Sequence, residues 1–204
     1  MTETRTLSDF HFDALKEVGN IGIGHATTSL SQMVNRRVDI SLPDLKLIPF
    51  SEVSPLVKKE DPVVGIVLEL KGDAEGYLLL LLSKNDAKSL IKLIVGEVSD
   101  NDSFDEMEES VLKELGNIMT GTYVTALSDF LGLSLGLSTP SQVYDMADAI
   151  VNDAIGSMNT DASEILFMNT EFMVKSEQLD GKLLIFTDSS SISRILDAIN
   201  RMTG

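Results

Sequence analysis

The chain has 204 residues, 43% of them apolar, with a formal charge of −16, two histidines and no cysteine. That composition supports a packed core and excludes global disorder. It also excludes disulfide and thiolate metal frameworks, leaves only His11 and His25 for an imidazole metal site, and lacks the basic footprint that nucleic acid or an anionic membrane surface requires. The longest apolar run, Tyr77 to Leu82, is far too short to span a bilayer. No apolar leader is visible at the polar N-terminus, so membrane insertion is not expected and a cytoplasmic location is.

In chain order, Ser8 or Asp9 is placed to cap a helix that runs to about Arg36. Residues 37–50 alternate as a strand should, with Pro43 as an edge, bulge or turn. Residues 51–59 form one or two helical turns. Residues 63–71 read as a strand, and Gly72-Asp73-Ala74-Glu75-Gly76 as a hairpin turn. Tyr77 to Leu82 is apolar on both faces, hence a central strand. Residues 85–95 are an amphipathic helix, and the acidic residues 100–109 are a seam. Beyond it the order recurs: a helix over 105–130, a strand over 131–138, a helix over 141–158, a strand over 164–176, a turn at 178–181, a strand over 182–187 and a closing helix over 190–202. Each half reads α-β-(α)-β-β-α.

The halves share more than their order. Leu15-Lys16-Glu17-Val18-Gly19-Asn20-Ile21 returns as Leu112-Lys113-Glu114-Leu115-Gly116-Asn117-Ile118. The offset is 114 − 17 = 97, and it also relates Gly24 to Gly121, Thr28 to Thr125, Ser41 to Ser138 and Pro43 to Pro140. Later, Gly181-Lys182-Leu183-Leu184 echoes Gly76-Tyr77-Leu78-Leu79. The expected fold is α+β. It is one domain of two fused repeats, about 8–99 and 105–204, with one mixed sheet or two joined sheets, pseudo-twofold symmetry and two long exposed motif helices.

On a helix advancing about 100° per residue, Glu114 and Asn117 lie about 60° apart, with Ser110 and Gly121 beside them. Asp13, Glu17, Asn20 and Gly24 repeat that stripe. Leu112, Leu115, Met119, Tyr123, Ala126 and Phe130 centre on the opposite face, which should pack on the body of the protein. One Glu-x-x-Asn alone is an ordinary solvated helix face; a duplicate in register, beside helix-weakening glycines, points to a site. Those glycines suit close approach of another backbone, from within the fold or from a partner.

Several chemistries fit poorly. Gly19-Asn20-Ile21-Gly22-Ile23-Gly24 lacks the lysine, the hydroxyl and the preceding strand of a phosphate loop, and its second copy carries Met119 and Thr120 instead of glycines. Paired carboxylates for glycoside cleavage fail because Ser110 replaces the second acid, and a Ser110 nucleophile has no nearby histidine. An exposed amide and carboxylate suit phosphoryl hydrolysis on a partner that brings its own phosphoryl group and Mg²⁺. The amide can hold a water, its oxygen accepting one proton while its nitrogen donates to another oxygen, and the carboxylate can pair with a lysine.

The full pattern is [Asp/Ser]-x-x-x-Glu-x-x-Asn, twenty-two residues, then Pro. It occurs as Asp13, Glu17, Asn20, Pro43 (43 − 20 − 1 = 22) and as Ser110, Glu114, Asn117, Pro140 (140 − 117 − 1 = 22). This resembles the signature of the CheC/CheX/FliY family of bacterial chemotaxis phosphatases. The resemblance implies hydrolysis of the phospho-aspartate of CheY, with Asn20 and Asn117 positioning water and Glu17 and Glu114 contacting the regulator's lysine. It implies no metal of the chain's own, the Mg²⁺ being CheY's, and a state of monomer or heterodimer with CheD. The receptor deamidase CheD is the second implied partner, facing a helix that imitates its substrate. The segment from Ala147 to Ala154, with Ile150 and Val151 where the reactive pair would stand, fits that pattern, as does plain core packing. Competing expectations are a non-catalytic adaptor that sequesters phospho-CheY and CheD, and a structural protein of the flagellar switch.

Overall fold

A computed structural model describes residues 8–41, 44–57, 60–99, 101, 103–158, 164–174 and 179–201. The first half runs α1 (Asp9–Val34), β1 (Val38–Ile40), β2 (Asp44–Pro49), α2 (Phe50–Val57), β3 (Val63–Gly72), β4 (Gly76–Ser83) and α3 (Lys84–Val95). The second runs α4 (Glu106–Leu131), β5 (Leu135–Leu137), β6 (Ser141–Asp145), α5 (Ala147–Ser157), β7 (Glu164–Val174), β8 (Leu179–Thr187) and α6 (Ser189–Arg201). Among the described residues, each half is therefore α-β-β-α-β-β-α.

The strands make one antiparallel sheet ordered β1-β7-β8-β4-β3-β5, with β2 also on β7 and β6 also on β3. The halves exchange their edges: β1 and β2 pair with β7 of the second half, while β5 and β6 pair with β3 of the first. At the centre β4 pairs with β8 and Leu79 faces Leu184. These two leucines are repeat equivalents, 184 − 79 = 105, the same offset as 181 − 76 = 105 for the matching glycines. The pseudo-twofold axis therefore passes between them.

Alternation along β4 explains its continuous apolar run. Leu78, Leu80 and Leu82 face the layer of α1, α3, α4 and α6. Leu79 and Leu81 face the layer of α2 and α5. Both faces are covered, so both sets are apolar.

Three expectations need correction. Residues 141–158 are not one helix: Ser141 to Asp145 form β6 on β3, and α5 starts at Ala147 after Met146. Val143 and Tyr144 suit a strand, and the free edge of β3 supplies backbone partners that a local pattern does not reveal. The strand expected over 131–138 shrinks to Leu135–Leu137, because α4 continues through Leu131 and ends at Gly132 in the left-handed conformation (φ 63°). Of the turn placed at 178–181, Leu179 to Gly181 belong instead to β8, and residue 178 lies outside the described residues. Pro43 lies outside the described residues.

Candidate functional site

Each motif helix is 26 residues long and starts at a capping box, Ser8 with His11 on α1 and Asp105 with Glu108 on α4. Such boxes satisfy orphan amide donors at a helix start. The second box is also a clamp. Glu108 is fully buried and accepts from the backbone N–H of Asp105 (2.9 Å) and of Ser99 (2.7 Å), from the Ser99 hydroxyl (3.0 Å) and from Lys88 Nζ (3.3 Å to each oxygen). Burial alone would raise its pKa; the amides of Asp105 and Ser99, the Ser99 hydroxyl and the Lys88 ammonium outweigh it and hold the carboxyl below its usual range. Lys88 donates further to the carbonyls of Ser99, Asn101 and Ser103 and lies over the Phe104 ring. The acidic seam between the halves is thus stapled to α3. The Asp105-x-x-Glu108 spacing signals the cap, but nothing local signals Lys88.

The helices α1 and α4 pack on each other and on the sheet. Leu15, Val18, Gly19, Gly22, Ala26, Leu30 and Val34 of α1 are buried. On α4 the expected inward face is buried at Leu112, Leu115, Met119, Tyr123 and Ala126, with Phe130 packed partly buried against it. At the crossing, a Cβ on Gly22 would stand 2.9 Å from Tyr123 Cα, so the absent side chain is what lets the helices meet. A Cβ on Gly116 would press into Ile66 of β3 at 2.6 Å.

The opposite stripe faces water. Asp13, Glu17 and Asn20 on α1 are exposed, as are Ser110, Glu114 and Asn117 on α4. Among the described residues, no hydrogen bond or ion pair engages the side chains of Glu17, Asn20, Glu114 or Asn117. The Ser110 hydroxyl instead donates to Glu106 O (2.8 Å), back along its own helix. Gly24 and Gly121 have open space where a Cβ would stand, which keeps the stripe low beside each Asn. The repeated glycines thus serve two ends: Gly22 and Gly116 admit internal contacts, while Gly24 and Gly121 leave room outside.

Pro140 is half-buried at the jog from β5 to β6. Ser138, two residues earlier, bonds the Glu69 backbone twice, through N–H to carbonyl (2.9 Å) and through its hydroxyl accepting the Glu69 N–H (2.9 Å). Ser41 does the same to Glu171 at 2.8 and 2.9 Å. The matched serines therefore tie the chain just after β1 and just after β5 to the neighbouring strand in the same way.

The stretch expected to face CheD is corrected. Ala147, Ile150, Val151 and Ala154 are all buried, in the core beneath α2 and α5. Their small-residue spacing is that of a helix packed on a sheet. Outward, α5 presents Ala149, Asn152, Asp153, Gly156 and Ser157, and with β6 and β3 it borders an open groove of about 660 Å³. Among the described residues, no group of three or more His, Asp or Glu side chains is placed to hold a metal ion, and no helix is long and apolar enough to cross a membrane.

Comparison with known proteins adds three findings. The CheC-like family model matches residues 10–47 and 107–144, stretches that hold nearly all of the two motif helices. The chain is 30% identical over 200 residues to the CheY-P phosphatase CheC of Bacillus subtilis, covering 95% of each. Its fold resembles the crystal structure of FliY from Thermotoga maritima (TM-score 0.74, 21% identity, 97% of this chain and 99% of that one) and that of CheX in a CheX–CheY–BeF3–Mg²⁺ complex from Borrelia burgdorferi (TM-score 0.55, 18% identity, 84% and 98%).

Proposed function

Since this chain belongs to the CheC-like family, we propose that it is a protein phosphatase that hydrolyses the aspartyl phosphate of phosphorylated CheY. The relative in Bacillus subtilis is named as such a phosphatase, and a neighbour of the same fold is described in complex with CheY. The observation that carries the reading here is the doubled stripe. Glu17 with Asn20, and Glu114 with Asn117, stand exposed, untied by other described residues, on rigid helices whose far faces are core.

In this reading each stripe docks over the phosphorylated aspartate. The carboxamide of Asn20 or Asn117 accepts one water proton and donates to a neighbouring oxygen, holding the water in line with the phosphorus. Water attacks, the bond to the aspartyl oxygen breaks, and inorganic phosphate leaves. Glu17 or Glu114 pairs with a lysine of CheY and sets the approach. Little covalent help is needed for such a transfer, so positioning dominates. The Mg²⁺ is CheY's.

We assign CheD as a second partner, docking on the outward side of α5 around Ala149, Asp153 and Ser157, where the groove offers a concave surface. Its support is the family resemblance together with that groove. Charge reversal at Asp153 should weaken a CheD pull-down and leave phosphatase activity unchanged; equal capture of CheD by the reversed variant sinks the assignment.

The deciding experiment follows phospho-CheY decay with Asn20→Ala, Asn117→Ala and the double variant. Each single substitution should slow its own site roughly a hundredfold, and the double variant should return decay to the rate of CheY alone. A double variant as fast as the parent refutes the assignment. Tight binding of phospho-CheY by the parent without faster decay favours the adaptor reading.

A further inference from the structure

We propose that Phe10 and Met107 are apolar positioning residues that seat phosphorylated CheY against the two Glu–Asn pairs, an inference that rests on the phosphatase reading. Among the described residues, eight large apolar side chains are exposed: Phe10, Ile21, Leu56, Val95, Met107, Val143, Tyr144 and Met173. Single exposed apolar residues are ordinary. Of these eight, Phe10 and Met107 alone are equivalent at the motif offset, 107 − 10 = 97. They are exposed to nearly the same degree, 45% and 47%.

Their position on the helix is the second observation. Phe10 precedes Glu17 by seven residues, and Met107 precedes Glu114 by seven. Seven residues turn a helix about 700°, back to within about 20° of the same face, and advance it about 10 Å. Each motif helix therefore presents, from its start, an apolar side chain, then Asp13 or Ser110, then Glu, then Asn. A capping role does not account for them. The hydrophobic staple joins the residue before the N-cap to the fourth helical residue, whereas Phe10 and Met107 hold the second helical position after Ser8 and Asp105. The His11 ring beside Phe10, 6.0 Å between centroids, leaves it open to solvent.

A polar stripe with an apolar end suits a partner surface whose charged phosphorylation site is bordered, about 10 Å away, by an apolar patch. Truncating an apolar anchor that packs into a partner typically weakens association about tenfold, while the anchor itself adds nothing to the bond-breaking step. The anchors also differ, a rigid ring at the first site and a flexible thioether at the second, so the two sites should differ in how tightly they hold CheY.

The test uses the full chain with one site silenced. Phe10→Ala is measured in the Asn117→Ala background and Met107→Ala in the Asn20→Ala background. The expected result is a roughly tenfold rise in the phospho-CheY concentration for half-maximal rate, with kcat within about twofold and with Phe10→Leu and Met107→Leu recovering most of the loss. An unchanged half-saturation at both sites overturns the inference, as does a fall in kcat at constant half-saturation. A shift in molecular mass that accounts for the change also overturns it, since the pair would then be a self-association surface. If neither silenced background accelerates decay at all, the phosphatase reading is what has failed. The same variants are then read by equilibrium binding to phosphorylated CheY, where a loss below about threefold overturns the anchoring role.

Discussion

Two kinds of carboxylate occur in the motif helices, and their surroundings separate them. Glu17 and Glu114 stand exposed, with no hydrogen bond or ion pair to other described residues. Glu108 is buried, with two amides, a hydroxyl and Lys88 around it. Removing it would strip Lys88 of its counter-charge and leave the Asp105 and Ser99 amides without their acceptor, so Glu108→Ala should cost about 3 kcal/mol in denaturant unfolding. Because the fold holds its carboxyl below the usual value near 4.5, its contribution is complete above that value. The contribution disappears as pH falls through the lowered one. Acid unfolding should therefore show a stability loss below about pH 4.5 in the parent that is reduced in Glu108→Gln. Parallel acid profiles for parent and variant would contradict this.

On the scale of the element, the glycines of α1 and α4 make opposite predictions. Gly22 lies where the helices cross, so Gly22→Val should force them apart, lower stability by about 1–3 kcal/mol and slow dephosphorylation at both sites. Gly24 and Gly121 face open space, where alanine removes a helix-weakening residue. Gly24→Ala and Gly121→Ala should each stabilise the fold by roughly 0.5–1 kcal/mol and yet slow phospho-CheY decay, because the added methyl groups obstruct the stripe. Melting curves and decay rates on the same samples check both halves of that statement. A faster or unchanged decay would mean that the partner does not approach there.

Considered whole, the molecule is two repeats that complete each other's sheet. The first half lends β1 and β2 to β7, and the second lends β5 and β6 to β3. Split at the seam near residue 100, each fragment would expose the long edge of its own hairpin and lose part of its core. Neither fragment alone should give a cooperative unfolding transition, and mixing the two should restore one. Two independently folding halves, each with its own sharp transition, would show that the exchange of strands is dispensable.

The one-dimensional pattern determined which helices exist, which side of α1 and α4 is core, and where the Glu–Asn pairs point. Those are properties of helical periodicity and local capping, and the repeat at a fixed offset doubled the signal. Tertiary structure alone decided the rest. Ser141 to Asp145 became a strand because β3 had an edge to pair. Ala147, Ile150, Val151 and Ala154 turned inward because β4 and β8 are apolar on that side too. Glu108 became a clamp because Lys88, twenty residues away, reaches it. Strand pairing and burial depend on partners distant along the chain, and no local window of residues contains that information.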